Sequence, residues 1–222
     1  MLILKRFVRL WTKNKPLKIR KLSLFPTFFT FKGEKYSFED IKHITLFSSA
    51  HSSFQIPVGS MVVLNIRTTK MTHSKINISQ IYHPMYPRKN RLIRNIYMLM
   101  SKASIEGRYN RYMSTVSKDG YFKYYANNLN KLIEINPTTK RVRFGKKDFK
   151  VKKGCLDIGI HRGNTRNYSS DPRQVTVYDK EKGLFKEKIK FSVYFDDDII
   201  LPLLSSFIGK DKAGVRHTIF FN

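Results

Sequence analysis

The spacing of apolar residues changes at residue 88, and this change limits the possible folds more than any other feature of the sequence. Phe29 and Phe31 alternate with polar residues, and Ile76 and Ile78 alternate in the same way. A period of two residues is typical of β-strands that bury one face. Two prolines within residues 84–87 end the last of these strands. The first part of the chain is therefore predicted to be strand-rich.

From Arg88 onward the apolar residues recur at every third or fourth position, which predicts a basic amphipathic helix. Gly107 weakens this pattern, so a second helical piece is predicted after it, ending at Asp119-Gly120. The apolar positions of the two pieces are Leu92, Ile93, Ile96, Tyr97, Met100 and Ala103, followed by Tyr109, Tyr112, Met113 and Val116.

The second half of the chain repeats this plan. A hairpin is predicted around Asn136-Pro137-Thr138, alternating strands follow, and residues 196–209 have helical spacing. The predicted fold class is α+β: two strand-rich modules, each closed by an amphipathic helix, with a basic N-terminal helical arm. The predicted domains are the arm at 1–22, a first module with its basic helix at 23–120, and a second module with its C-terminal helix at 121–222.

The predicted arm contains eight basic residues and no acidic one. Its apolar residues Leu4, Phe7, Val8 and Trp11 fall on one face of a helix. Such a helix packs on its own domain, contacts nucleic acid, lies on a membrane, or serves as a mitochondrial presequence. The basic run continues past Pro16, where a membrane anchor has no need of it and a phosphate-binding arm would use it.

The overall charge indicates an anionic partner. The chain has 43 Lys and Arg against 16 Asp and Glu, a formal net charge of +27. Residues 1–118 hold 22 of the basic residues and only 4 of the acidic ones. A domain this positive repels itself unless an anionic surface lies against it. Nucleic acid is the first candidate for that surface, and an anionic membrane is the second. A genome rich in A and T would raise the lysine content, but it would not reduce the number of carboxylates.

The motifs that usually mark catalytic sites are absent from the sequence. The six histidines lack the spacing of a zinc site, and no nucleophile elbow or phosphate-binding glycine loop occurs. Cys155 is the single cysteine, which fits a reducing compartment such as the cytoplasm or the mitochondrial matrix. The sequence contains no apolar run of about 18 residues, so it predicts no transmembrane helix. We therefore expect a non-enzymatic protein with no cofactor and no metal.

The one acidic cluster is Asp196-Asp197-Asp198, just before the predicted C-terminal helix. Aspartates at a helix start cap free N–H groups and interact favourably with the helix dipole. Capping is predicted over metal binding, because consecutive side chains point in different directions. A nucleic-acid enzyme that uses these carboxylates is the weakest of the alternatives.

Aromatic residues and cations are interleaved between residues 106 and 125, "EGRYNRYMSTVSKDGYFKYY". Aromatic rings stack on unpaired bases while Arg and Lys contact phosphates, so this pattern favours RNA. The sequence predicts a structural constituent of a ribosome-like particle, in contact with RNA and neighbouring proteins. A peripheral membrane protein that binds anionic lipid is the alternative. The predicted RNA-binding residues are Lys5, Arg6, Arg9, Lys13, Lys15, Lys18, Arg20, Lys21, Arg88, Lys89, Arg91, Arg94, Arg108, Tyr109, Arg111, Tyr112, Arg162 and Arg166.

Overall fold

The computed structural model describes residues 16–53, 56–70, 75–82, 88–126, 131–152, 154–160, 173–179 and 188–209. Within these ranges the protein is a mixed α+β structure with four small antiparallel sheets and two helices. The α+β class predicted from the sequence is therefore confirmed. The predicted N-terminal helix falls on residues that lie outside the described ranges.

The first sheet is a four-stranded meander of short strands. Its strands pair in chain order: β1 (Leu17–Ile19), β2 (Leu22–Leu24), β3 (Phe28–Phe31) and β4 (Glu34–Ser37). Lys32 and Gly33 form the β3–β4 turn with φ values of 53° and 90°. Positive φ at both central positions defines the type I′ turn, which matches the twist of a hairpin. Residues 17–22, predicted as the end of the arm, thus begin a sheet instead.

A 3₁₀ turn, Phe38–Asp40, follows β4. The Ser37 amide donates to Asp40 Oδ2 at 2.7 Å, and the Asp40 amide donates to Ser37 Oγ at 3.3 Å. These reciprocal bonds form a capping box, which turns the chain toward the second sheet.

The second sheet has three strands, β5 (Ile41–Ser53), β6 (Ile56–Thr68) and β7 (Lys75–Tyr82), and helix α1 (Arg88–Asp119) follows it. The break predicted at Gly107 is wrong, because α1 is one continuous helix. A Cβ at Gly107 would meet the Cα of Glu39 at 3.7 Å, an ordinary contact. A glycine costs a helix only about 1 kcal/mol relative to alanine, too little to interrupt one of this length. Gly120, with φ of 70°, ends the helix as predicted.

The same order of elements recurs in the second half. A four-stranded meander contains β8 (Phe122–Ala126), β9 (Lys131–Asn136), β10 (Arg141–Phe144) and β11 (Lys147–Lys150). A three-stranded sheet of β12 (Gly154–Ile160), β13 (Arg173–Asp179) and β14 (Lys188–Val193) precedes helix α2 (Asp197–Ile208). The predicted hairpin is confirmed, and Asn136 Oδ1 shapes its turn by accepting from the amides of Thr138 and Thr139 at 3.0 and 2.8 Å.

Two separate hydrophobic cores form, and α1 contributes to both. Ile93, Ile96, Leu99 and Met100 pack with the inward faces of β1–β7, whereas Tyr112 packs with residues of β8–β14 and α2. The boundary between two compact units accordingly falls between Arg108 and Tyr109. The boundary predicted from the sequence lies downstream, after residue 120.

Candidate nucleic-acid interface

The predicted RNA-binding residues occupy very different environments. Lys18, Arg20 and Lys21 lie on β1 and in the β1–β2 turn, and all three are exposed. Arg91, Arg94 and Tyr109 are exposed on α1, Arg111 is half-buried, and Arg88 and Lys89 are the first residues of that helix. Lys5, Arg6, Arg9, Lys13, Lys15, Arg162 and Arg166 lie outside the described residues.

Arg108, predicted to contact phosphate, is fully buried, with 0% of its surface exposed. Its Nε donates to Ser104 Oγ at 3.0 Å, and its Nη2 donates to the Ser101 carbonyl at 2.9 Å and to Ser101 Oγ at 3.1 Å. A buried guanidinium needs such acceptors, because charge without partners is costly inside a protein. In this structure Arg108 therefore ties together turns of its own helix and presents no surface to RNA.

Tyr112 is also buried, and its hydroxyl donates to Asp196 Oδ2 at 3.0 Å. Its ring lies 5.6 Å, centroid to centroid, from that of Phe122. A ring held in this way packs a core and is not presented for stacking on a base. Among the tyrosines of the interleaved stretch, Tyr109 and Tyr125 are the exposed ones, at 42% and 50%.

The capping role predicted for the aspartate cluster does not hold for the side chain of Asp196. Asp196 precedes α2 in a left-handed conformation, φ 51°, and its side chain caps no amide of that helix. The carboxylate is 1% exposed and accepts from Tyr112 instead, while the Asp196 carbonyl accepts from the amides of Ile199 and Ile200. Asp197 and Asp198 lie in the first turn, where a negative charge interacts favourably with the helix dipole. No metal-binding group of three or more His, Cys, Asp and Glu residues occurs in the ranges that the structure describes.

The outward face of the first four-stranded sheet carries one row of polar side chains across all four strands. Lys18, Ser23, Thr30 and Lys35 are successive cross-strand partners, and we call them the first row. Their chain neighbours, such as Leu22 and Phe29, point into the core. With strands about 4.8 Å apart, the row is about 14 Å long.

Two basic turns lie at one end of this sheet. Arg20 and Lys21 form the β1–β2 turn, and Lys32 begins the β3–β4 turn. The Lys32 amide donates to the Lys21 carbonyl at 3.0 Å, so the two turns are adjacent. All three side chains are exposed. The turns extend the positive charge of the first row to the edge of the sheet.

The carboxylates close to this sheet already have partners. Glu34 Oε2 accepts from the Tyr36 hydroxyl at 2.7 Å. Burial, together with that hydrogen bond, raises the pKa of Tyr36 to about 12. Lys70 Nζ lies 3.3 Å from Asp40 Oδ2 and also donates to the Lys35 carbonyl at 2.8 Å. The negative charge of Asp40 is therefore compensated by Lys70 and not by a lysine of the first row.

Four residues of this basic face, Ser23, Thr30, Lys32 and Lys35, were not among the RNA-binding residues predicted from the sequence. Alternation around Phe29 and Phe31 placed Thr30 on the outward face, but only the strand register aligns it with Lys18, Ser23 and Lys35 in one row. A basic run was visible in residues 18–21, whereas Lys35 is distant from it in sequence. Pairing of consecutive strands as hairpins was the signal that could have placed Lys35 in the same row as Lys18.

Neither helix in the part of the chain that the structure describes has an apolar stretch of the length needed to cross a bilayer. Comparison with protein-family models, with curated proteins and with solved structures gives no significant match to this chain.

Proposed function

We propose that the protein binds RNA, without catalysing a reaction, as a structural constituent of a ribosome-like ribonucleoprotein particle. One observation carries the proposal: exposed cations in the first unit form no ion pair within the described ranges. They are Lys18, Arg20, Lys21, Lys32, Lys35, Lys42, Lys75, Arg91 and Lys102. A folded protein with a net charge of +27 is stabilised when a polyanion compensates these charges.

We also infer that the chain consists of two strand-rich modules, each closed by a helix, and that a basic arm precedes them. The recurrence of a four-stranded meander, a three-stranded sheet and a helix in both halves supports this modular description. The second module, residues 121–222, carries more acidic side chains, 11 of the 16 in the chain, and it is the half suited to contacts with neighbouring proteins.

Binding of the purified, nuclease-treated protein to a structured RNA, titrated across salt concentration, tests the proposed function. Each phosphate contact contributes about −0.9 to the slope of log affinity against log salt on a duplex and about −0.7 on a single strand. A slope of about −4 or steeper supports the proposal. A flat slope refutes it, and binding to phosphatidylserine vesicles in place of RNA would assign the protein to a membrane surface.

A further inference from the structure

The second four-stranded sheet carries an outward row at the same cross-strand positions as the first row. Lys123, Glu134, Arg143 and Asp148 are successive partners on β8, β9, β10 and β11, and we call them the second row. The third and fourth strands show the correspondence: Arg143 pairs with Asp148 as Thr30 pairs with Lys35. The two rows therefore occupy equivalent surfaces in the two halves.

The charges of the second row compensate each other. Arg143 Nη1 donates to Glu134 Oε2 at 3.2 Å, and Arg143 Nε lies 3.6 Å from Asp148 Oδ2. Lys123 Nζ lies 4.0 Å from Glu134 Oε1, so every cation of this row has an acidic partner inside it. The second row has two positive and two negative side chains and no net charge.

Flanking residues extend this pairing. Arg141 Nε donates to Asp148 Oδ1 at 2.8 Å, and Lys123 Nζ donates to Asp119 Oδ2 at 2.6 Å. The hydrogen bond from Arg141 lowers the pKa of Asp148, and the one from Lys123 lowers the pKa of Asp119. These carboxylates stay ionised at neutral pH, so they continue to compensate their cations.

The first row has two lysines, two hydroxyl groups and no carboxylate. Lys18 forms no ion pair within the described ranges, and Lys35 Nζ lies 4.2 Å from the centroid of the Phe28 ring, a contact that leaves its charge uncompensated. We propose that the outward face of the first sheet, the first row with its two basic turns, binds the phosphates of an RNA backbone, and that the equivalent face of the second sheet does not. This inference rests on the proposed function and assigns it to one surface.

The chemistry of the first row favours an RNA backbone over a lipid surface. Lysines contact phosphates by charge, while Ser23 and Thr30 supply hydroxyl donors between them, a combination common where proteins hold a sugar–phosphate chain. A length of about 14 Å exceeds the axial spacing of neighbouring phosphates in a nucleic-acid strand, about 3.4 Å in duplex DNA, so the row can contact more than one phosphate. A membrane-binding surface would combine cations with several large apolar side chains, whereas the four residues of the row include none, and the Phe28 ring beside Lys35 is half-buried and stacked on Phe25.

A pair of charge-matched variants of the full chain tests this assignment. Lys18→Gln/Lys35→Gln removes two positive charges from the first row, and Lys123→Gln/Arg143→Gln removes two from the second. We expect the first variant to make the salt slope for a structured RNA less steep by about 1.4 to 1.8, the loss of two phosphate contacts. The second variant should keep the wild-type slope. An unchanged thermal midpoint of the first variant, whose two side chains are exposed, would show that its fold is intact.

Three outcomes would overturn the assignment. An equal loss of slope in both variants would mean that RNA responds to total charge and not to this face. An unchanged slope in the first variant, with a steep wild-type slope, would place RNA elsewhere and leave the proposed function standing. If the first variant loses binding to phosphatidylserine vesicles but keeps its RNA slope, the face serves a membrane. A flat slope in the wild type would instead refute the proposed function itself.

Discussion

Removing one oxygen atom from Tyr112 should destabilise the second unit. The Tyr112 hydroxyl donates to Asp196 Oδ2 at 3.0 Å, and the two residues are 8% and 1% exposed. The Tyr112→Phe variant keeps the ring and its contact with Phe122, but it deprives a buried carboxylate of a donor. A hydrogen bond to a charged group contributes about 1.5–3 kcal/mol, and water has little access to replace this one.

The expected loss of stability is large enough to measure by thermal unfolding. For a protein of 222 residues, each kcal/mol shifts the midpoint by about 2–4 °C, so we expect a decrease of about 3–12 °C. Tyr109→Phe is the matched control, because Tyr109 lies on the same helix and is 42% exposed. That control should unfold at the wild-type temperature.

Two further measurements show whether the hydrogen bond itself is responsible. In a double-mutant cycle with Asp196→Ala, the two changes should be non-additive, because each removes the same interaction. The RNA salt slope of Tyr112→Phe should match that of the wild type, because the hydroxyl is committed to Asp196. A Tyr112→Phe protein that unfolds at the wild-type temperature would refute the reasoning.

Three other expected outcomes follow from single contacts. Arg108→Lys should lower the free energy of unfolding by about 2 kcal/mol in urea titrations, because one ammonium cannot replace the forked donors of a buried guanidinium. The control Arg91→Lys, at an exposed position, should leave the free energy of unfolding unchanged. Equal effects of the two substitutions would contradict this reasoning. Gly107→Ala should raise that free energy by about 0.5–1 kcal/mol, since the added methyl group meets only an ordinary contact; a loss would show that the helix needs glycine there. The pKa of Asp148, followed by carboxyl NMR, should lie below its ordinary value and rise in Arg141→Gln. Because folding depresses this pKa, the stabilisation is present above the unfolded pKa and lost as the pH falls through the folded one; the same pKa in both proteins would argue against the pairing.

The elements of regular structure were largely predictable because they follow from local periodicity. Alternation around Phe29 and Ile76 predicted strands, and both β3 and β7 form there. The C-terminal helix and its end at Gly209 were likewise predictable from apolar spacing and glycine. The continuity of α1 was not, because the cost of one glycine is small beside the packing of a helix that contributes to both cores.

The candidate interface was less predictable, because exposure is not encoded by residue type. Arg108 and Tyr109 are neighbours in a cation–aromatic pattern, yet the first is fully buried and the second is exposed. Helical geometry turns successive side chains by about 100°, so a pattern read along the chain mixes inward and outward residues. Burial of an arginine further required acceptors one and two turns away, at Ser104 and Ser101.

Composition and periodicity are local properties, so the charge of the protein, the α+β class and the positions of most strands and of both helices follow from the amino-acid sequence alone. Which charges remain uncompensated depends on the fold. Strand register places Lys18 and Lys35 in a row without carboxylates, and the equivalent register places Glu134 and Asp148 beside the cations of the second sheet. Electrostatic compensation depends on distance in space, so two cations can differ in what they bind when only one of them has a carboxylate nearby.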